Sequence, residues 1–137
     1  MIAGMILGMG SDLCDIRRIE QMLAKHGTRF TQRVFSDAER ARCERLEPLR
    51  AASYAKRFSA KEACAKALGT GFTQGVAFAD MQVVNLPGGQ PVLQLSGVAL
   101  EKLLAMTPKN MSPRIFLSLT DEYPYALAQV ILSAQPV

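Results

Sequence analysis

The sequence predicts an α+β domain with an antiparallel-rich sheet and one long Ala-rich helix. Three observations point there. Apolar runs of β character stand at both ends of the chain, "MIAGMILGMG" first and "RIFLSLTDE" and "YALAQVIL" last. Helical periods lie between them, without the strict strand–helix alternation of a doubly wound sheet. "FADMQVVNL" and "PVLQL" flank "PGGQ", the pattern of a hairpin.

The elements follow in order. "MIAGMILGMG" reads as a buried strand ending in glycines. From Asp12 the period changes: Leu13, Ile16, Ile19, Met22 and Leu23 recur at helical spacing, with Arg17, Arg18, Gln21 and Lys25 on the other face. This first helix ends near His26-Gly27. Ser36 and Glu39 have capping-box spacing and start a second helix, which Pro48 stops. A long helix runs from about Leu49 to Leu68 and closes at Gly69. After the hairpin, Ser96 to Met106 reads as a short amphipathic helix, and two closing strands meet at Tyr123-Pro124.

Composition narrows the function classes. A chain of 137 residues fits one domain spanning 1–137, and 49% hydrophobic with 20% charged residues describes a folded one. No apolar stretch is long enough to span a bilayer. The N-terminus lacks a basic region and a cleavage site, so it reads as strand rather than signal peptide. Cys14, Cys43 and Cys64 are odd in number and far apart, which suits a reduced, cytoplasmic protein. The net charge of +4 is uneven: up to Leu68 there are thirteen Lys or Arg against eight Asp or Glu, and from Gly69 three against four. A basic N-terminal half favours an anionic partner. The few aromatics do not interleave with the basic residues, which argues against a nucleic-acid stacking platform.

Several chemistries drop out. His26 is the single histidine, and no Ser or Cys stands in a nucleophile elbow. Zinc ligands at usable spacing are missing. "GMGSDL" lacks the third glycine of a dinucleotide fingerprint, and "GTGF" is not followed by the Lys-Ser or Lys-Thr of a Walker loop. Acidic residues, basic residues and glycines remain. Asp12, at a strand-to-helix junction, has two readings: the N-cap of a helix, or a ligand for a hard cation. On the long helix Phe58, Glu62 and Lys66 step by four, with Arg57 and Lys61 on the adjacent stripe. Glu62 there is either half of a surface pair with Lys66 or a Mg²⁺ carboxylate among cations that face a diphosphate. Gly69-Thr70-Gly71 is a helix stop, a close-approach ligand loop, or both.

"GMGSDLCDIRRIE", "RVFSDAE" and "KRFSAKEACAKALGTGF", in this order, resemble the holo-acyl-carrier-protein synthases, the small bacterial group of 4′-phosphopantetheinyl transferases. The closing "LSLTDEYPYALAQVIL" fits as well, so the resemblance covers essentially the whole chain. It implies transfer of 4′-phosphopantetheine from coenzyme A to a serine of apo acyl carrier protein, with release of adenosine 3′,5′-bisphosphate. Asp12 and Glu62 match the family's catalytic Mg²⁺ carboxylates. Arg57, Lys61 and Lys66 match positions near the coenzyme A phosphates, beside Gly69, Thr70 and Gly71. Glu62 or a Mg²⁺-bound water takes the serine proton. Arg18, with Arg17 and Arg33, corresponds to the basic surface that docks the acidic carrier. A homotrimer with sites between subunits is implied too. Two departures stand out: "SLTDE" lacks the histidine many members carry, and Ala65 replaces a common serine. The rival readings are a non-catalytic RNA-binding module and a different Mg²⁺-dependent phosphoryl enzyme.

Overall fold

The computed structural model describes residues 4–137. Strands β1 (Met5–Asp15), β4 (Met111–Glu122) and β5 (Tyr125–Pro136) form an antiparallel sheet in the order β1-β5-β4. Strands β2 (Met81–Asn85) and β3 (Pro91–Leu95) form a separate hairpin. Five helices complete the chain: α1 (Ile16–His26), α2 (Thr28–Val34), α3 (Asp37–Glu44), α4 (Arg50–Leu68) and α5 (Gly97–Met106). The α+β class with antiparallel sheets is as expected. Met1–Ala3 of the expected first strand lie outside the described residues.

Two expectations about β1 are corrected. The strand does not end at Asp12 but runs on to Asp15, and Asp15 caps α1 by accepting the Arg17 N–H at 3.0 Å. Leu13 therefore belongs to a strand, not to the apolar stripe of a helix. Nor is the strand buried on both faces. It is a sheet edge, and Ile6, Met9 and Leu13 are each 64% exposed. In register with them, Ile131 of β5 lies between Met9 and Phe116, and Leu127 lies opposite Leu13. The outer sheet face is thus exposed within the chain, its apolar rows separated by a polar one of Ser11, Gln129 and Ser118.

The inner face carries α4, and the contact is close because β1 offers glycine there. A Cβ on Gly10 would lie 2.1 Å from the Ala63 carbonyl oxygen, and one on Gly8 would lie 2.2 Å from that of Ala67. Strand residues two apart meet helix residues four apart, since 6–7 Å along a strand matches about 6 Å along a helix. Buried Ala60, Ala63, Ala67 and Leu68 pack with Ala128, Val130 and Leu132 of β5 to form one core. The first half of α4 meets α1, α2 and α3 in a second core around Ile16, Phe30, Phe35 and Tyr54. Ser36 and Glu39 make the expected capping box. Helix α2 went unread, because its seven residues offer too little period to separate it from a loop.

Candidate active site between the first strand and the long helix

The inward row of β1 runs Gly8, Gly10, Asp12, Cys14. The first two positions hold α4 at backbone distance, and the next two reach past the point of contact. Asp12, Leu13, Cys14, Arg18, Phe58 and Glu62 line one cleft of about 220 Å³. Asp12 and Glu62, fifty positions apart in sequence, are brought to the same hollow. Lys66 joins them: its Nζ donates to the Ser11 carbonyl at 3.0 Å and to Asp12 Oδ1 at 3.4 Å. The pair expected within the helix, Glu62 with Lys66, is replaced by a pair between strand and helix.

The electrostatics follow from this grouping. Burial pushes the Glu62 carboxyl above its ordinary range and the Asp12 charge pushes it further, while Lys66 and Arg18 pull it back. Burial, then Asp12, also raises the Cys14 thiol, so it stays protonated. Arg18 was expected on a docking surface; its side chain lines the carboxylate cleft and a neighbouring groove as well. That groove, about 290 Å³, is walled by Ile19, Met22, Phe30 and Phe58 together with Lys25 and His26. Phe58 and Cys14 are shared by both hollows.

Arg57 and Lys61 were expected beside Glu62, facing the same ligand. The structure puts both inside the protein. The Lys61 Nζ donates to Glu39 Oε1 and to the Val34 carbonyl, each at 2.7 Å, and so is not available to a phosphate. Glu39 also accepts from the N–H groups of Ser36 and Val83. Arg57 donates to the Ser53 carbonyl and hydroxyl and to Asn85 Oδ1, which leaves its Nε without a partner. Gly69 closes α4 in the left-handed region at φ 79°, and Gly71 follows at φ 58°. The Thr70 hydroxyl donates to the Gly71 carbonyl at 2.8 Å, which folds the turn on itself. Arg17 is tied to Asp15 at 2.6 Å, and Arg33 lines a shallow hollow with Met22, His26, Arg29 and Phe30. Of the three docking arginines, only Arg18 reaches the carboxylates.

A sequence model of the 4′-phosphopantetheinyl transferase superfamily matches residues 8–128, from the first contact glycine to the inner face of β5. The chain belongs to that superfamily. This phosphopantetheinyl transferase is 63% identical over 132 residues to the holo-[acyl-carrier-protein] synthase of Caulobacter vibrioides, covering 96% of this chain and 98% of that one. It is 60% identical over 134 residues to that of Granulibacter bethesdensis, covering 97% and 92%. Among solved structures, the holo-[acyl-carrier-protein] synthase of Neisseria meningitidis aligns with a TM-score of 0.78 at 34% identity, over 93% of this chain and 98% of that one. The Helicobacter pylori enzyme in complex with coenzyme A aligns at 0.76 and 28% identity, over 90% and 98%. The transferase is therefore an enzyme of the holo-[acyl-carrier-protein] synthase group, as the three sequence blocks implied.

Proposed function

We propose that this chain transfers 4′-phosphopantetheine from coenzyme A to a serine hydroxyl of apo acyl carrier protein, with Mg²⁺, releasing adenosine 3′,5′-bisphosphate. The observation that carries the proposal is the convergence of Asp12, Glu62 and Arg18 in one cleft, with Lys66 bonded to Asp12. The relatives' names supply the group transferred and the acceptor.

The donor set fits the ion. Asp12 and Glu62 are hard oxygen donors, and Mg²⁺ takes one or two protein carboxylates and completes its shell with water and phosphate. Among the described residues no cluster of three or more His, Cys, Asp or Glu exists, which disfavours a cage for a softer metal. Asp12 and Glu62 would hold the ion, which when bound would neutralise the diphosphate. In the transfer the serine oxygen bonds to the phosphorus that carries pantetheine, and the bond from that phosphorus to the adenosine-side oxygen breaks. The electron pair leaves with the bisphosphate. The serine proton goes to Glu62, the carboxylate that α4 places in the cleft. Lys66 and Arg18 offset the negative charge that develops.

Gly69, Thr70 and Gly71 complete the proposed coenzyme A contacts; Arg57 and Lys61, both buried, leave that set and support the site from inside. The carrier docks on α1 and α2, with Arg18, Arg17 and Arg33 for its acidic groups and the Met22–Phe30 groove for an apolar residue. The exposed apolar residues of the outer sheet face, Met9, Leu13 and Phe116 among them, support assembly into a homotrimer. One catalytic domain spans 1–137. No helix among the described residues is long and apolar enough to cross a membrane, and a cytoplasmic location is part of the proposal. Purified protein with coenzyme A and Mg²⁺ should add the mass of one phosphopantetheine to apo acyl carrier protein. If no carrier gains that mass with any divalent cation, the proposal fails.

A further inference from the structure

We propose that Lys66 couples metal and substrate binding: it is the internal cation of Asp12, and a phosphate must draw it away before Asp12 binds a divalent ion at full strength. The inference rests on the transferase reading above. The Lys66 ammonium reaches Asp12 Oδ1 at 3.4 Å across 54 positions of sequence, and the Ser11 carbonyl anchors it at 3.0 Å. The Asp12 side chain is only 16% exposed, whereas that of Lys66 is 55% exposed. Asp12 is thus the enclosed partner, and Lys66 is the one that borders solvent.

Lys66 and a divalent ion compete for the same oxygen. Two cations sharing one carboxylate repel each other strongly in a partly buried cleft. A phosphate relieves that competition. Lysine is a flexible point charge with rotatable donors, and moving a half-exposed ammonium from a carboxylate to a phosphate exchanges one ionic hydrogen bond for another. The solvent-exposed side of Lys66 leaves room for the move. Linkage then requires reciprocity: substrate that removes Lys66 tightens metal binding, and metal tightens substrate binding by the same factor.

Mn²⁺ binding, read by electron paramagnetic resonance, tests this without turnover. Lys66→Met should bind Mn²⁺ alone about 5- to 10-fold more tightly than wild type, within the usual range of such couplings. Coenzyme A should then tighten Mn²⁺ binding less in the variant, because only direct phosphate coordination remains. Lys66→Arg keeps the cation and should restore wild-type Mn²⁺ affinity. Arg18→Gln removes one charge from the same cleft but no bond to Asp12, and should change Mn²⁺ affinity less. Equal affinity of wild type and Lys66→Met for Mn²⁺ alone, or an equal gain from Arg18→Gln, overturns the coupling role. A different failure belongs to the transferase reading: wild type that binds neither Mn²⁺ nor coenzyme A, or Mn²⁺ binding that survives Asp12→Asn.

Discussion

Lys61 and Glu39 form an ion pair at 2.7 Å with both side chains out of water. Glu39 also holds the Ser36 and Val83 N–H groups, so one carboxylate ties α3 to α4 and to β2. Burial alone would favour neutral lysine and lowers its proton affinity, and Glu39 is what opposes that. Lys61→Met leaves a buried carboxylate uncompensated and should destabilise the fold by ~3–5 kcal/mol. The double variant Glu39→Leu with Lys61→Met should recover much of that loss in urea unfolding. A double variant no more stable than Lys61→Met would show that the pair's backbone bonds, not its charges, carry the effect.

Gly10 should tolerate no side chain. Its Cβ would meet backbone, the Ala63 oxygen at 2.1 Å and the Ala67 nitrogen at 2.8 Å, so α4 as a whole must move. Gly10→Ala should cost ~3 kcal/mol or more, at the upper end for overpacking. Gly69→Ala meets no atom, and its cost comes only from a left-handed φ of 79°, about 1 kcal/mol. Chemical denaturation of the two variants measures the difference.

Glu62 should weaken the fold it serves. Its folded proton affinity is raised by burial and then by Asp12. Between the unfolded and the folded titration ranges the native chain binds more protons than the unfolded one, so stability falls as pH rises through that window. Glu62→Gln should therefore melt higher than wild type at pH 7–8. The two should converge near pH 4, where both side chains are neutral, and transfer activity should be largely lost. An unchanged melting temperature at neutral pH would return Glu62 to an ordinary solvated carboxylate.

Phe116 and Met9 flank Ile131 on the uncovered sheet face. A charge there should break the proposed trimer. Ile131→Asp should sediment as a monomer while wild type sediments as a trimer. A variant that still assembles would exclude this face as the interface.

Arg33 should separate docking from catalysis, because it stands apart from the carboxylate cleft. Arg33→Glu should weaken carrier binding about tenfold at low salt and less at high salt, with coenzyme A affinity unchanged. Equal loss of both in calorimetry would place Arg33 in the substrate site.

The fold class was legible because its signals are local: the apolar first strand, the Ser36–Glu39 capping box, the hairpin around "PGGQ" and Gly69 as helix stop. The boundary at Asp12 was misread because Leu13 fits the spacing of Ile16 and Ile19, and periodicity cannot see that the sheet continues to Asp15. The basic residues of α4 were harder still. The helix is buried on most of its surface, and its alanines give no stripe to tell inside from outside. Arg57 and Lys61 therefore looked as solvated as Lys66. Three of their partners, Glu39, Val34 and Asn85, come from other elements, which does not show in spacing; only Ser53, one turn before Arg57, lies on α4 itself. For Asp12 and Glu62 the residues alone left the cation reading open beside a helix cap and a surface pair, and the family resemblance decided it, since the long sequence gap between them is closed by β1 meeting α4.

At two positions that meeting is main chain against main chain. Gly8 and Gly10 abut the carbonyls of Ala67 and Ala63 directly, and the two carboxylates ride on the same strand and helix a step further on. Their spacing is set by main chain against main chain, which sequence drift in a core cannot loosen by trimming a methyl. Retuning the cleft for a larger ion would require a new helix placement rather than a point substitution, so directed evolution of metal preference should stall at residues 8 and 10 before it reaches the carboxylates.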